Sequence, residues 1–293
     1  MLNREEFHDI LEYPWVKNYI AFMRPRVVKE LLESDIVFSK KVPGFLRANW
    51  NYINKLTLLD PFRLGRIVDL LVETKDVQGD IVECGSYKGG TGILIGLLLR
   101  HLGIQKKVHL FDSFEGLPQP NSIYDNGYKE GQFKSNFEEL SNKLKMLGLN
   151  KVVHLYKGWF SDTVNSFCQS SDHLSFIHID CDLYDSTNDC FPFLFPILSK
   201  GGVVVLDDYN DGGKGEKKAV HEYLDTYEIM QYFIPSTAPQ AYFYKDIKTT
   251  GSIVKYGHAM FSLDSITSNT SYINWLNSCI EEDYGKMLKL ITN

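Results

Sequence analysis

The stretch Asp80-Ile81-Val82-Glu83-Cys84-Gly85-Ser86-Tyr87-Lys88-Gly89-Gly90-Thr91 decides the fold. It runs from a short apolar, β-rich segment into a glycine turn and then into the helical pattern Thr91–His101. Glycine lets the backbone turn sharply and approach a ligand closely, and the helix that follows offers unpaired N–H groups. The same texture recurs downstream. Val108–Phe111, Val152–Tyr156, Leu174–Ile179 and Gly202–Leu206 read as strands. Ser135–Leu147, Ser186–Leu198 and Glu216–Thr226 read as helices, the first with Ser135 and Glu138 as a capping box and Gly148 as its stop. Strands that are almost continuously apolar, alternating with helices, imply a mostly parallel sheet covered on both faces, a doubly wound α/β core. Two further β-leaning runs, Met230–Ile234 and Ala241–Tyr244, follow.

Working outward, the first 60 residues read as helices. Trp15, Tyr19, Phe22 and Met23 share one face, and Val27 to Glu33 suggests another helix. Asp60-Pro61 then signals a helix start, with Leu64, Ile67, Val68 and Leu71 on one stripe. The expected organisation is a helical cap or oligomer-contact region over 1–75, a core over 76–246, and a C-terminal extension of unassigned role over 247–293. No apolar run reaches the roughly 18 residues that span a bilayer, so no membrane partner is expected. The acidic start Met1-Leu2-Asn3-Arg4-Glu5-Glu6 does not resemble an export signal. A net charge of −6 argues against a general grip on nucleic acid. The five cysteines, Cys84, Cys168, Cys181, Cys190 and Cys279, form no C-x-x-C pair, so a reducing cytoplasm is expected, with neither disulfides nor a thiolate zinc site.

In open α/β sheets, ligands bind beyond the carboxyl ends of the strands, where strand order reverses. Asp112 falls at the tip of the second core strand, 27 positions after Gly85, where a carboxylate can accept both ribose hydroxyls of an adenosine. Dinucleotide dehydrogenases and S-adenosylmethionine (SAM) enzymes both use this arrangement. The dehydrogenase fingerprint G-x-G-x-x-G needs its middle glycine against a pyrophosphate. Here that position is Tyr87, and Glu83 would repel a pyrophosphate while favouring the cationic groups of SAM. SAM is therefore the expected cofactor.

A second constellation is acidic. One strand ends in Asp180-Cys181-Asp182-Leu183-Tyr184-Asp185 and the next in Asp207-Asp208-Tyr209. Alternation along a strand puts Asp180 and Asp182 on the cleft side and turns Cys181 into the fold. Carboxylates this close repel unless a cation intervenes. Oxygen ligands without a well-placed His or Cys favour Mg2+ over Zn2+, held by Asp180, Asp207 and Asp208. Asp182 is left as a base, and Asp185 as a helix cap. Leu117–Phe133, rich in Gly, Pro, Asn and Tyr, is long for a connection and reads as either a lid or a mobile surface loop, its place directly after the Asp112 tip favouring a lid.

These residues resemble the macrocin O-methyltransferase family. The resemblance lies in Glu83-Cys84-Gly85 with Gly89-Gly90; in Phe111-Asp112-Ser113-Phe114-Glu115-Gly116-Leu117-Pro118; in Lys157-Gly158-Trp159-Phe160-Ser161-Asp162-Thr163; in Asp180 to Thr187; and in Gly201-Gly202 through Tyr209. It covers about Thr57 to Asp246. It implies a class I, Rossmann-like SAM-dependent methyltransferase with seven strands, the last antiparallel. It also implies a SAM- and Mg2+-dependent enzyme that methylates sugar hydroxyls of natural products, and a homo-oligomer. By the same resemblance Glu83, Gly85 and Ser86 surround the methionine part of SAM, with Gly89, Gly90, Ser113 and Asp180 completing the pocket. Asp112 would hold the ribose and Trp159 and Phe160 would lie beside the adenine. Asp182 would be the general base. The chain departs from the family in carrying Tyr87-Lys88 where Trp-Arg is frequent, and Cys181 where glycine is usual. A catechol-type methyltransferase remains the closest alternative. A glycosyltransferase using Asp180-x-Asp182, or a non-catalytic SAM- or sugar-binding subunit, are the others.

Overall fold

The computed structural model describes residues 39–209, 215–229, 234–235 and 239–246. The helices expected at Trp15–Met23 and Val27–Glu33, the start of the Met230–Ile234 run and the whole 247–293 extension lie outside these residues. In chain order the elements are α1 (Phe45–Ile53), α2 (Pro61–Glu73), β1 (Asp80–Cys84), α3 (Gly90–Leu102), β2 (Val108–Asp112), α4 (Phe137–Met146) and β3 (Val153–Lys157). They continue with α5 (Phe160–Ser170), β4 (Leu174–Ile179), α6 (Tyr184–Ile197), β5 (Leu198–Leu206), α7 (Gly215–Thr226), β6 (Ile234–Pro235) and β7 (Ala241–Tyr244).

Seven strands form one sheet in the order β3-β2-β1-β4-β5-β7-β6. β1 to β5 run parallel, and β7 is antiparallel to both of its neighbours. Strand order therefore reverses between β1 and β4, and Glu83 of β1 sits level with His178 of β4. Alternate strand residues feed two cores. Ile81, Val203 and Val205 join the helices α1 to α4 on one face; Val82, Val204 and Leu206 join α5 to α7 on the other. That two-sided burial is why the strands read as unbroken apolar runs.

Local signals explain most of the boundaries. Asp60 caps α2, accepting from the backbone N–H groups of Phe62 and Arg63, with Pro61 in the first turn. The capping box expected at Ser135 is absent: Asn136 caps α4 by accepting from Glu139 N at 2.9 Å, and Ser135 Oγ is buried without a partner among the described residues. α6 begins at Tyr184, two residues before the expected Ser186, so Asp185 lies in its first turn and is not its cap. α5 was not expected at all. It buries only Val164 and Phe167 among polar, weakly helix-forming residues.

Candidate active site

The site is built from strand tips. β1 ends at Cys84, and the chain turns at Gly85 with φ of +92°. A Cβ at Gly85 would lie 1.7 Å from the carbonyl oxygen of Asp180, so only glycine lets these two loops cross at the β1/β4 switch. Next to it, Tyr87 N and Phe114 N donate to the two oxygens of Asp112 at 2.8 and 2.6 Å. Asp112 thereby ties the first loop to the second. A carboxylate has about four acceptor positions, so the backbone contacts leave it able to accept from a ligand as well. Burial raises the Asp112 pKa, against the pull of its backbone hydrogen bonds.

These tips border a cavity of about 680 Å³, within the range of small-molecule sites. Gly85, Ser86, Asp112, Ser113, Trp159 and Phe160 line it from the β1–β3 side, and Asp180, Asp182, Asp207 and Asp208 from the β4–β5 side. Ser86 Oγ is buried with no partner among the described residues, as a ligand-binding hydroxyl would be. Three expected pocket residues do not line the cavity. Gly89 and Gly90 are packing positions, where a Cβ would strike Leu140 and the backbone of Leu56. Glu83 is 1% exposed and turns to His178 instead.

The acidic tips meet as expected, though for a different reason. β4 stops at Ile179, so strand alternation does not set Asp180 and Asp182. A left-handed turn does, with Asp182 at φ of 61°. Both aspartates face the cavity, while Cys181 Sγ packs 3.7 Å from Cys190 Sγ in the core. One oxygen each from Asp180, Asp207 and Asp208 lies within 4.8 Å of the others. Burial and then repulsion from neighbouring aspartates push the pKa values of Asp180 and Asp208 well above the usual carboxylate range.

Asp207 behaves differently because it is embedded in a row of alternating charge. Arg63 of α2 pairs through Nη1 with Asp207 and through Nε with Asp60 at 3.0 Å. On the other side His178 Nε2 lies 3.7 Å from Asp207 Oδ1, an ion-pair distance, and its Nδ1 donates to Glu83 Oε1 at 2.9 Å. Gln240 Nε2 also donates to Asp207 at 2.9 Å. Asp60, Arg63, Asp207, His178 and Glu83 thus alternate in sign, and none is more than 9% exposed. Burial opposes the charge on Asp207, but Arg63 and His178 outweigh it and lower its pKa. Burial likewise opposes the charge on His178, yet the carboxylates of Asp207 and Glu83 beside it raise its pKa to about 10. Sequence reasoning missed Arg63, His178 and Gln240. It also missed Glu216, a buried carboxylate that accepts from Asp208 N at 3.2 Å.

A seven-stranded sheet of this order, with an antiparallel β7 and a cavity at the β1/β4 switch, is the class I methyltransferase fold. Within that class, the chain belongs to the macrocin-O-methyltransferase (TylF) family, whose model matches residues 58–244. It is 34% identical over 162 residues to 8-demethyl-8-(2,3-dimethoxy-alpha-L-rhamnosyl)-tetracenomycin-C 4'-O-methyltransferase of Streptomyces olivaceus, covering 52% of this chain and 60% of that protein. It is 32% identical over 171 residues to demethyldecarbamoylnovobiocin O-methyltransferase of Streptomyces niveus, covering 54% and 63%. The matches span somewhat under two thirds of these relatives' lengths. The solved structure of the O-methyltransferase NovP superposes with a TM-score of 0.60 at 25% identity, covering 78% of this chain and 98% of that one.

Proposed function

We propose that this protein is a SAM-dependent O-methyltransferase that acts on a sugar hydroxyl of a glycosylated natural product or related saccharide, with Mg2+ at the aspartate cluster. The observation that carries the reading is one cavity lined on its β1–β3 side by Ser86 and Asp112 and on its β4–β5 side by Asp182 and three further aspartates. The family and the tetracenomycin and novobiocin relatives support a glycoside acceptor.

The residues fit a hard cation. Their donor set is oxygen only, their ligand atoms are clustered, and Asp208 Oδ2 is buried without a partner among the described residues. Asp180, Asp207 and Asp208 would hold the ion, whose chemistry when bound is to polarise neighbouring hydroxyls and lower their pKa. Asp207 is kept anionic by Arg63 and His178. Asp180 and Asp208 carry protons more readily and must release them on cation binding.

Ser86 and Asp112, with Trp159 and Phe160, orient the donor; Asp182 accepts the proton of the attacking hydroxyl as the methyl group transfers in line. The sulfonium is already a good leaving group, so alignment supplies much of the rate; such positioning contributes on the order of 7–11 kcal/mol in favourable cases. On the same reading the enzyme works in the cytoplasm as a homo-oligomer, on 76–246 as its core, without nucleic-acid or membrane partners. No helix among the described residues is long and apolar enough to cross a membrane.

The test is transfer of a labelled methyl group from SAM to a panel of rhamnosides, aminocoumarin glycosides and macrolide glycosides, with Mg2+ or with EDTA. Label on a sugar hydroxyl that disappears with EDTA is expected. Label on catechols alone, or turnover only with a nucleotide-sugar donor, would overturn the reading.

A further inference from the structure

The connection between β2 and α4 leaves the donor side of the sheet and ends up against the acidic side, and one buried carboxylate holds it there. Asp125 is 4% exposed. Its Oδ2 accepts from Asn121 N and its Oδ1 from Tyr184 N, both at 2.9 Å. Tyr184 is the first residue of α6, a helix whose own N-cap residue, Leu183, has no side chain able to cap it. Asp125 supplies that cap from 59 positions away.

A third segment closes on the same atom. A Cβ at Gly215, the first residue of α7, would lie 2.0 Å from Asp125 Oδ1 and 2.7 Å from Tyr184 N. α6 follows the Asp180–Asp182 turn and α7 follows Asp207-Asp208, so Asp125 touches the helix starts behind both acidic tips. Neighbouring contacts brace the junction. The Tyr124 ring packs 4.6 Å from Tyr184, and the Tyr184 hydroxyl donates to Glu222 at 2.6 Å. The residues immediately after Asp125, namely Asn126, Gly127 and Tyr128, line the cavity.

We propose that Asp125 is a positioning residue: it latches the 117–133 loop across the sheet, so that Asn126–Tyr128 form the wall against which the acceptor sits. This rests on the reading of the β4–β5 side as the acceptor side. It gives the loop a fixed seat, where its length and composition suggested a lid or a mobile surface loop. Because the latch acts through loop position and not at the reacting atoms, its loss should weaken acceptor binding more than it slows the chemical step.

The experiment uses the full chain and two variants, Asp125→Ala and Gly215→Ala. The second keeps the carboxylate but crowds its seat, and stands in if the first fails to fold. Hydrogen exchange without ligands should show amides of 117–133 exchanging at least tenfold faster in the variants, with β1 and β4 unchanged. S-adenosylhomocysteine affinity should stay within about threefold, while KM for the best glycoside of the panel rises more than tenfold and kcat falls less. Loop exchange within twofold of wild type in both variants overturns the proposal, as does a fall confined to kcat. If wild type neither binds S-adenosylhomocysteine nor transfers methyl groups, the proposed function fails, and the exchange comparison still decides the latch.

Discussion

Replacing Arg63 with methionine tests the buried charge row. Arg63 is 7% and Asp207 1% exposed, so little water reaches the pair except from the cavity both residues border. Opposite charges ~4 Å apart attract by about 4 kcal/mol at an effective dielectric of about 20. Removing one partner of a buried pair costs about 3–5 kcal/mol, mostly the penalty of stranding the other charge. His178 and Gln240 still contact Asp207, which places Arg63→Met towards the lower end. At 2–4 °C per kcal/mol for a domain of roughly 150–250 residues, the melting temperature should fall by about 10 °C. The assay is thermal unfolding of a double-mutant cycle with Asp207→Asn. If stranded charge is the cause, the double variant recovers at least half of the loss seen in Arg63→Met alone. A loss under about 1 kcal/mol, or a double variant no better than the sum of the singles, would refute the reasoning.

Asp182→Asn should keep S-adenosylhomocysteine and Mg2+ affinity while losing turnover; more than about a tenth of wild-type kcat removes Asp182 as the base. Gly85→Ala combines a left-handed backbone with a 1.7 Å clash against the Asp180 carbonyl. It should abolish the thermal shift given by S-adenosylhomocysteine, and a wild-type shift would show the crossing to be tolerant. The pH dependence follows from the raised pKa values. His178 contributes stability that is complete below its unfolded pKa near 6.5 and lost as pH rises through about 10. Asp180 and Asp208 hold protons in the folded state that the unfolded chain has already released, so they too make stability fall as pH rises above about 4. Without divalent cations the melting temperature should decline from pH 6.5 to 10, and Mg2+ should lessen the decline; a flat or rising profile contradicts this.

Strong local signals made the sheet legible in the sequence. β1 and β4 fall on the expected residues because a strand buried on both faces must be apolar throughout. Asp60-Pro61 announced α2 because cap and first-turn proline act within three residues. The acidic cluster was legible too, since its aspartates sit at consecutive strand tips. What stayed hidden depends on distance. Arg63 meets Asp207 across 144 positions and Asp125 meets Tyr184 across 59, and no periodicity or spacing encodes either contact. Glu83 was read as a cavity residue, yet it lies behind the cavity wall on His178, its partner across the β1/β4 register. At Ser135 two adjacent residues could both cap a helix, and the local choice between them went to Asn136.

The most direct test of the central claim is a thermal-shift comparison of S-adenosylhomocysteine, NAD, and UDP- and dTDP-sugars, each with and without Mg2+. A ligand at 100 times its dissociation constant stabilises by about 2.7 kcal/mol, a shift of several degrees. The account predicts a shift with S-adenosylhomocysteine and none with NAD or with a nucleotide sugar alone. A shift confined to a nucleotide sugar plus metal would contradict it and assign the Asp180-x-Asp182 turn to glycosyl transfer.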